Sequence, residues 1–240
     1  MEQTLTLMPA VHDAGSFVNA EQAQFLIADW QQTYPQGIFS ILYGRHLFDQ
    51  LLAAPDCVGI RIFNGINTGN KQAFVFVAVN AAGTSILSYE LLTDSGPVQV
   101  NNTIWDVGVP CPPFCDEPPV GQAYLWRRPI DPSLNMKEIG RSISYEKATI
   151  MVGAWQQQFP GMPAAFFFTR DVITAMLSVP GCAGVAIYNG IDKEQEQTLI
   201  LTPADTTGRC IFNYTTITAE GTCLSDVQLL TGGMKQQVSL

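Results

Sequence analysis

The chain contains two stretches in which apolar residues recur at the spacing of one helix face. The members of the first face are Ala23, Leu26, Ile27, Trp30 and Tyr34. The members of the second, each 125 residues further on, are Ala148, Met151, Val152, Trp155 and Phe159. A proline follows each stretch, at Pro35 and Pro160, and disfavours helical backbone in the residue before it. The pattern predicts a helix over residues 19–34 and a matching helix 125 residues later.

Shorter apolar runs and a second amphipathic segment follow each predicted helix. Residues 45–53 carry apolar side chains at helical spacing, and residues 73–79 form a continuous apolar run typical of a central strand. Between them, apolar side chains in residues 57–63 recur at the period of two that marks a strand. Asn64-Gly65 is interpreted as the turn after this strand. Each stretch therefore predicts the order α-β-α-β-β-β, an α+β unit with a mostly antiparallel sheet and helices on one face.

Individual residues also recur at the offset of 125 positions, so no residue is inserted or lost between the two stretches. The matched residues singled out as structural are Trp30 and Trp155, Arg45 and Arg170, Cys57 and Cys182, and Asn64 and Asn189. A constant offset of this length predicts a tandem duplication of a whole domain. The predicted organisation is an N-terminal arm (1–18), a first repeat domain (19–96), a linker containing prolines and cysteines (97–143), a second repeat domain (144–228) and a C-terminal tail (229–240).

The stretch from Leu52 to Gly65 reads Leu-x-x-Pro-x-Cys-x-Gly-Ile-Arg-Ile-Phe-x-Gly. It resembles a motif of uncharacterised bacterial proteins, which also carry a Cys-Pro-Pro-Phe-Cys-like segment, as at residues 111–115 here. The resemblance covers each repeat, although Ala186 stands in the second repeat where the first has Arg61. The resemblance implies no activity and no catalytic residue.

The composition narrows the classes of partner. Apolar residues make up 47% of the chain and charged residues only 14%, so the surface must be covered largely by uncharged polar groups, which favours association. A net charge of -9 argues against nucleic acid and anionic membranes, because both attract basic surfaces. The sequence starts without the basic and apolar segments of a secretory signal and has no apolar run long enough to span a bilayer. A cytoplasmic location is therefore expected.

The six cysteines are the main candidates for chemistry. Cys57 and Cys182 stand at matched strand starts among small and apolar residues, which indicates buried thiols, and no matched histidine accompanies them. Cys111 and Cys115 have the spacing of a zinc-ligand pair, but no second pair of that spacing follows. Zinc, a disulfide and free thiols all remain open for this pair. The residues whose redox state the sequence leaves open are Cys111, Cys115, Cys210 and Cys223. No cofactor, metal or catalytic residue is predicted.

The absence of a recognisable catalytic motif favours a non-enzymatic structural protein that assembles with copies of itself into a homo-oligomer or filament. The candidate interface consists of large apolar residues outside the repeats, namely Leu5, Leu7, Val11, Trp105, Phe114 and Trp126. Two alternatives stay open: a ligand-binding module with its site between the two repeats, and a cysteine-dependent enzyme.

Overall fold

The two long helices predicted from the apolar spacing are present, and each is followed by a strand and a short helix. The structure, a computed structural model, describes residues 16–18, 20–93, 95–101, 103–111, 135–211, 216–217, 223–224, 229–231 and 234–236. Its helices are α1 (Ala20–Thr33), α2 (Arg45–Leu52), α3 (Tyr145–Gln158) and α4 (Arg170–Leu177). A short 3-10 helix, Met136–Glu138, precedes α3. The hydroxyl of Ser144 accepts from the Lys147 amide and caps the start of α3.

The strands include several that are only two or three residues long. They are β1 (Ser16–Val18), β2 (Ser40–Gly44), β3 (Cys57–Ile66), β4 (Gln72–Asn80), β5 (Ser85–Ile86), β6 (Ser88–Thr93), β7 (Gly96–Asn101), β8 (Ile104–Asp106), β9 (Val109–Cys111), β10 (Arg141–Ser142), β11 (Ala165–Thr169), β12 (Gly184–Ile191), β13 (Gln197–Ala204), β14 (Thr216–Ile217), β15 (Cys223–Leu224), β16 (Leu229–Thr231) and β17 (Met234–Gln236). The bounds of α1, β2, α2, β8 and β9 recur 125 residues later as those of α3, β11, α4, β16 and β17.

Two larger antiparallel sheets contain most of the described strands. Sheet I has the order β1-β16-β13-β12-β2-β9, and sheet II has the order β10-β8-β4-β3-β11-β17, with β5 paired to β4. Mostly antiparallel sheets with helices agree with the predicted mixed α and β class. We call residues 16–111 the first half of the chain and residues 135–236 the second half.

Each sheet takes strands from both halves. In sheet I, β2 of the first half pairs with β12 of the second, with Ile41 opposite Ile187. In sheet II, β11 of the second half pairs with β3 of the first, with Phe166 opposite Ile62. The helices cross over in the same way, because α1 packs on β12 and α3 packs on β3. Each contact recurs with the halves exchanged, which is the pattern of a twofold-related pair.

Alternate residues of the strands divide between an inner and two outer cores. The inner core lies between the sheets and includes Ile60 and Phe166 of sheet II, Val185 of sheet I, and the buried faces of α2 and α4. On the outer face of sheet II, α3 packs through Met151 and Val152. On the outer face of sheet I, α1 packs through Ala23 and Ile27. The prediction that the helices share one face is therefore not confirmed, because the long helices cover outer faces and the short helices lie in the inner core.

The Asn64-Gly65 turn prediction is wrong, because both residues lie inside β3. Packing leaves little room for a side chain there, since a Cβ on Gly65 would lie 3.2 Å from the Met151 Cβ of α3. The matched Gly190 lies inside β12, and its Cβ would be 3.1 Å from the Leu26 Cβ of α1. The turn instead follows at residues 67–71, where Asn70 takes a φ of 55°. Tertiary packing here overrides a local turn signal.

The segments predicted as arm, linker and tail contribute strands to the sheets. β1 lies in residues 1–18, β8 and β9 lie in residues 97–143, and β16 and β17 lie in residues 229–240. Trp105, predicted at an interface between chains, is partly buried against the inner core and lies opposite Phe76. The other predicted interface residues, Leu5, Leu7, Val11, Phe114 and Trp126, lie outside the described residues.

A two-stranded hairpin extends the first half beyond these sheets. β6 and β7 pair only with each other among the described strands. Tyr89 and Val100, which are cross-strand partners, pack against the inner core. Two positions further along the same face, the partners Leu91 and Val98 are 41% and 48% exposed. The apolar face of the hairpin therefore begins in the core and continues into solvent.

Candidate functional site

Four buried side-chain amides meet where the halves of the chain interlock. They are Asn64, Gln72, Asn189 and Gln197, called the amide cluster below, and none is more than 9% exposed. Asn64 and Gln72 stand near the hairpin end of β3 and β4, and Asn189 and Gln197 stand at the matched end of β12 and β13. Each half therefore supplies one asparagine and one glutamine.

The amides of the cluster hydrogen bond mainly across the two halves. Gln72 Nε2 donates to Asn64 Oδ1 (2.9 Å) and to Asn189 Oδ1 (3.1 Å). Gln197 Nε2 donates to Asn189 Oδ1 (2.8 Å) and to Asn64 Oδ1 (3.3 Å). Asn64 Nδ2 donates to Gln197 Oε1 (2.9 Å), and Asn189 Nδ2 donates to Gln72 Oε1 (2.7 Å). Because buried amides are stable only when they are paired, the cluster specifies how the halves align.

The remaining N–H of each asparagine connects the cluster to a buried tryptophan. Asn189 Nδ2 donates to the Ile38 carbonyl (3.0 Å), which also accepts from Trp30 Nε1 (3.2 Å). In the other half the Pro163 carbonyl accepts from Asn64 Nδ2 (3.0 Å) and from Trp155 Nε1 (3.2 Å). Both indoles are therefore held in place and have no N–H left for another partner. Both tryptophans, which the sequence places on the apolar faces of their helices, are buried, and each helix packs on a strand of the opposite half.

A cavity of about 250 Å³ opens beside the amide cluster, between the C-terminal ends of α1 and α3. Its buried lining includes Trp30, Ile38, Ile66, Gln72 and Trp155. Two further aromatic rings, Tyr34 and Phe159, extend the walls, each with its centroid 4.4 Å from the centroid of the neighbouring indole. The cavity is lined by both halves and is mostly apolar, as small-molecule sites commonly are.

The cavity exists because the two halves differ in side-chain volume around their tryptophans. Around Trp30, the side chains of Phe39, Ile191 and Met162 pack together. Around Trp155, the matched positions hold Ala164, Ile66 and Gly37. Alanine thus stands in place of phenylalanine, and glycine stands in place of methionine. Gly37 and Ile66 both line the cavity. Gly37 of the first half therefore leaves space open beside Trp155, whereas Met162 of the second half fills the matched space beside Trp30.

The mouth of the cavity is formed by exposed polar residues. Gln36, Asn70, Lys71 and Gln158 line it, and among the described lining residues Lys71 alone carries a formal charge at neutral pH. The turn at residues 67–71 holds the backbone of Lys71, whose amide donates to Asn67 Oδ1 (3.1 Å). The arrangement can bind and orient a small molecule, and the described lining offers no carboxylate, histidine or thiol for acid–base or nucleophilic chemistry.

The matched arginines have a structural role. Arg45 Nη1 donates to the carbonyl of Leu177, the last residue of α4 (2.7 Å). Arg170 Nη1 donates to the carbonyl of Leu52, the last residue of α2 (2.8 Å). A cation at the end of a helix also interacts favourably with the helix dipole. Each arginine therefore caps the short helix of the opposite half.

A second, more polar depression lies beside α2 and is lined by groups that the sequence singled out. Arg45, His46, Trp105 and Cys182 contribute to it, and His46 packs edge-on against Trp105 with ring centroids 5.6 Å apart. Arg45 also forms an ion pair with Asp49 (3.2 Å). These contacts use the side chains for packing and helix capping.

The matched cysteines are buried thiols, as predicted. Cys57 Sγ donates to the Gly59 carbonyl (3.3 Å), and Cys182 Sγ donates to the Gly184 carbonyl (3.4 Å). Burial raises the pKa of the Cys182 thiol, so it stays protonated near neutral pH. A protonated thiol is a poor nucleophile, so Cys182 is not activated for attack on a substrate in this structure. The zinc and disulfide alternatives for Cys111 and Cys115 depend on Cys115, which lies outside the described residues.

Asp106, at the end of β8, is a buried carboxyl group, 5% exposed. Burial raises its pKa from 3.8 to about 6, while the hydrogen bond from the Val107 amide and the charge of Lys147 act in the opposite direction. The folded protein therefore binds this proton more tightly than the unfolded chain. The stabilisation is fully present below pH 3.8 and is lost as the pH rises through about 6.

We expect Asp106→Asn to become more stable relative to the wild type as the pH rises. The relative gain in the free energy of unfolding between about pH 3.5 and pH 7.5 should be about 3 kcal/mol at most. Urea denaturation at both pH values measures it, with the exposed Glu90→Gln as the control. A gain of equal size at both pH values would show that the pKa of Asp106 is the same in the folded and the unfolded chain.

The sequence identified Asn64 and Asn189 as a matched pair, and Gln72 and Gln197 also stand 125 residues apart, but it did not predict that the four amides meet. It missed the cavity, although the signal is present as the mismatch between Gly37 and Met162. Among the described residues, no group of three histidine, cysteine, aspartate or glutamate side chains is placed to hold a metal ion. None of the described helices combines the length and the apolar character that crossing a bilayer requires.

Packing in this fold explains part of the motif between Leu52 and Gly65. A Cβ on Gly59 would lie 2.3 Å from the Phe168 carbonyl oxygen, so the close approach of β3 and β11 requires glycine. Comparisons of the chain with protein-family models, curated proteins and solved structures found no match, so the resemblance of this motif to uncharacterised bacterial proteins stays a prediction.

Proposed function

We propose that this chain is a binding protein that holds a small, mostly apolar ligand in the cavity between its two halves. The observation that carries the proposal is the open space beside Trp155 and Gly37, which the matched Met162 fills near Trp30. At about 250 Å³ the cavity is slightly smaller than typical drug-sized sites, so a single ring or a short chain is the expected size of ligand.

The fixed positions of the cavity walls support the proposal. The two indoles are tied to the Ile38 and Pro163 carbonyls, and Gln72 is held by the amide cluster. A preformed site loses little conformational entropy when a ligand enters. Burial of the ligand against aromatic and aliphatic side chains supplies the affinity.

The test is to fill the cavity with the side chain of the matched position. We expect Gly37→Met to weaken binding of neutral fragments (toluene, hexanol and phenylacetamide) by about tenfold or more, as measured by ligand-observed NMR. Its melting temperature should not fall, since the same residue is accommodated at position 162. Gly161→Met is the matched control, because Gly161 is exposed and faces open space. Equal binding by Gly37→Met, or no binding of any fragment to the wild type, would overturn the proposal.

Self-assembly with further copies of the chain is a second candidate function, favoured by the hairpin of β6 and β7. Its exposed partners Leu91 and Val98 lie on an apolar face, and the hairpin has unpaired edges among the described strands. Such edges and apolar faces support pairing with another chain. The sequence also predicts a homo-oligomer or filament, but it places the interface on large apolar residues outside the repeats and not on this hairpin.

Light scattering after size-exclusion chromatography tests the assembly at micromolar concentration. We expect Leu91→Lys to shift the protein toward the mass of a single chain, 26.2 kDa. Gln99→Lys, which places the same charge on the opposite face of the hairpin, should leave the mass distribution unchanged. A wild type that is already monomeric would count against assembly.

A further inference from the structure

We propose that the ligand of the cavity is an apolar monoanion, a small aromatic or aliphatic carboxylate, with its apolar end inward and its carboxylate at Lys71. This inference rests on the proposed binding function and adds the charge and the orientation of the ligand.

The polar side chains among the buried, described lining residues have their hydrogen-bond donors in use. The Trp30 and Trp155 indole N–H groups are used by backbone carbonyls. Both N–H bonds of the Gln72 amino group are used by the amide cluster, which leaves Gln72 only an oxygen as a further hydrogen-bonding atom. An oxygen acceptor repels a carboxylate, and an unpaired charge among apolar walls is costly. The inner end of the ligand must therefore be apolar.

The mouth supplies the positive charge. Lys71 is exposed and lines the cavity, and none of the ion pairs found between described residues includes it. The matched position in the second half is Glu196, which is paired with Lys235 (2.7 Å). The open cavity thus has an exposed lysine at its mouth, whereas the matched position in the second half holds a glutamate that is paired with a lysine.

The same observations disfavour other ligand classes. A cation would be repelled by Lys71, and the two indole faces are almost fully covered by protein, with Trp30 3% and Trp155 2% exposed. A sugar would need several polar partners inside the cavity, where the described residues offer mainly carbon. A ligand with an apolar group and one terminal carboxylate matches both the apolar interior of the cavity and the positive charge of Lys71 at its mouth.

Three probes of nearly equal shape separate charge from apolar contact: phenylacetate, phenylacetamide and phenethylamine. For the wild type we expect phenylacetate to bind on the order of fivefold more tightly than phenylacetamide, with phenethylamine weakest. The preference for phenylacetate should shrink in 0.5 M salt, about three times physiological ionic strength, because Lys71 is solvent-exposed.

Lys71→Glu, which introduces the residue of the matched position 196, should remove the preference of the cavity for phenylacetate over phenylacetamide. Gly37→Met should weaken all three probes. If phenylacetamide binds but Lys71→Glu does not alter the order of the probes, the carboxylate inference is overturned while the binding function stands. If no probe binds the wild type, or Gly37→Met changes nothing, the binding function and this inference fail together.

Discussion

Separately expressed halves of this chain, residues 1–120 and 121–240, should not fold as monomers on their own and should fold when they are produced together. β2 pairs with β12, β11 pairs with β3, and each long helix covers a strand of the opposite half. A half alone would expose apolar faces of its strands and helices to water, which would make it unstable or prone to associate. Together, the halves should co-purify in equal amounts with the circular dichroism spectrum of the intact chain.

The cut itself is controlled by comparing the reassembled halves with the intact chain in urea denaturation. The urea midpoint of the two-chain complex should rise with protein concentration, whereas the midpoint of the intact chain should not change. A single half that is monomeric and unfolds cooperatively would contradict the exchanged arrangement of strands. A half that folds only as a homodimer would support it, because the second copy would then replace the missing half.

The second large effect is expected from removal of one amide of the cluster. Asn64→Leu should lower the free energy of unfolding by about 3–5 kcal/mol, because buried donors and acceptors without partners cost about 1–3 kcal/mol each. It leaves Gln197 Oε1 without its donor from Asn64 and takes one acceptor from each of the two glutamine amino groups. Urea denaturation with linear extrapolation measures the change.

The control and a double variant sharpen this prediction. Gln32→Leu, a substitution on the exposed side of α1, should change stability by only about 0.5 kcal/mol. Asn64→Leu combined with Asn189→Leu should cost clearly less than the sum of the two single changes, because the four amides form one network. Additive effects, or a loss below about 1 kcal/mol for Asn64→Leu, would show that the amides contribute independently or little.

The elements that depend on local pattern were predictable. The helix predicted over residues 19–34 is observed as Ala20–Thr33, because an apolar face at helical spacing and a following proline are both local signals. The strand predicted over residues 73–79 is observed as Gln72–Asn80, because a continuous apolar run is also a local signal. Asn64-Gly65 was misread, since its turn propensity is local but its role, pairing in β3 beneath α3, is not.

The candidate site was only partly accessible from the sequence. Matching at 125 residues identified Asn64 and Asn189 as a pair, but no local pattern indicates that they share hydrogen bonds with two glutamines. The cavity is open because Gly37 has no side chain to fill it. The sequence shows the glycine but not the residues that surround it, so the open space could not be predicted.

The sequence by itself determined the α-β-α-β-β succession at the start of each matched stretch, the fixed offset and the residues matched by it. Only the tertiary structure decided which half supplies the partner of each strand. β3 and β12 come from matched stretches and present similar apolar and hydrogen-bonding groups. Local sequence therefore gives β2 no reason to pair with one of them and not with the other. The choice of β12 is made by contacts distant along the chain, in the amide cluster, the inner core and the two arginine caps. Such contacts have no signature in local sequence, because their free energy arises only when both halves are folded together.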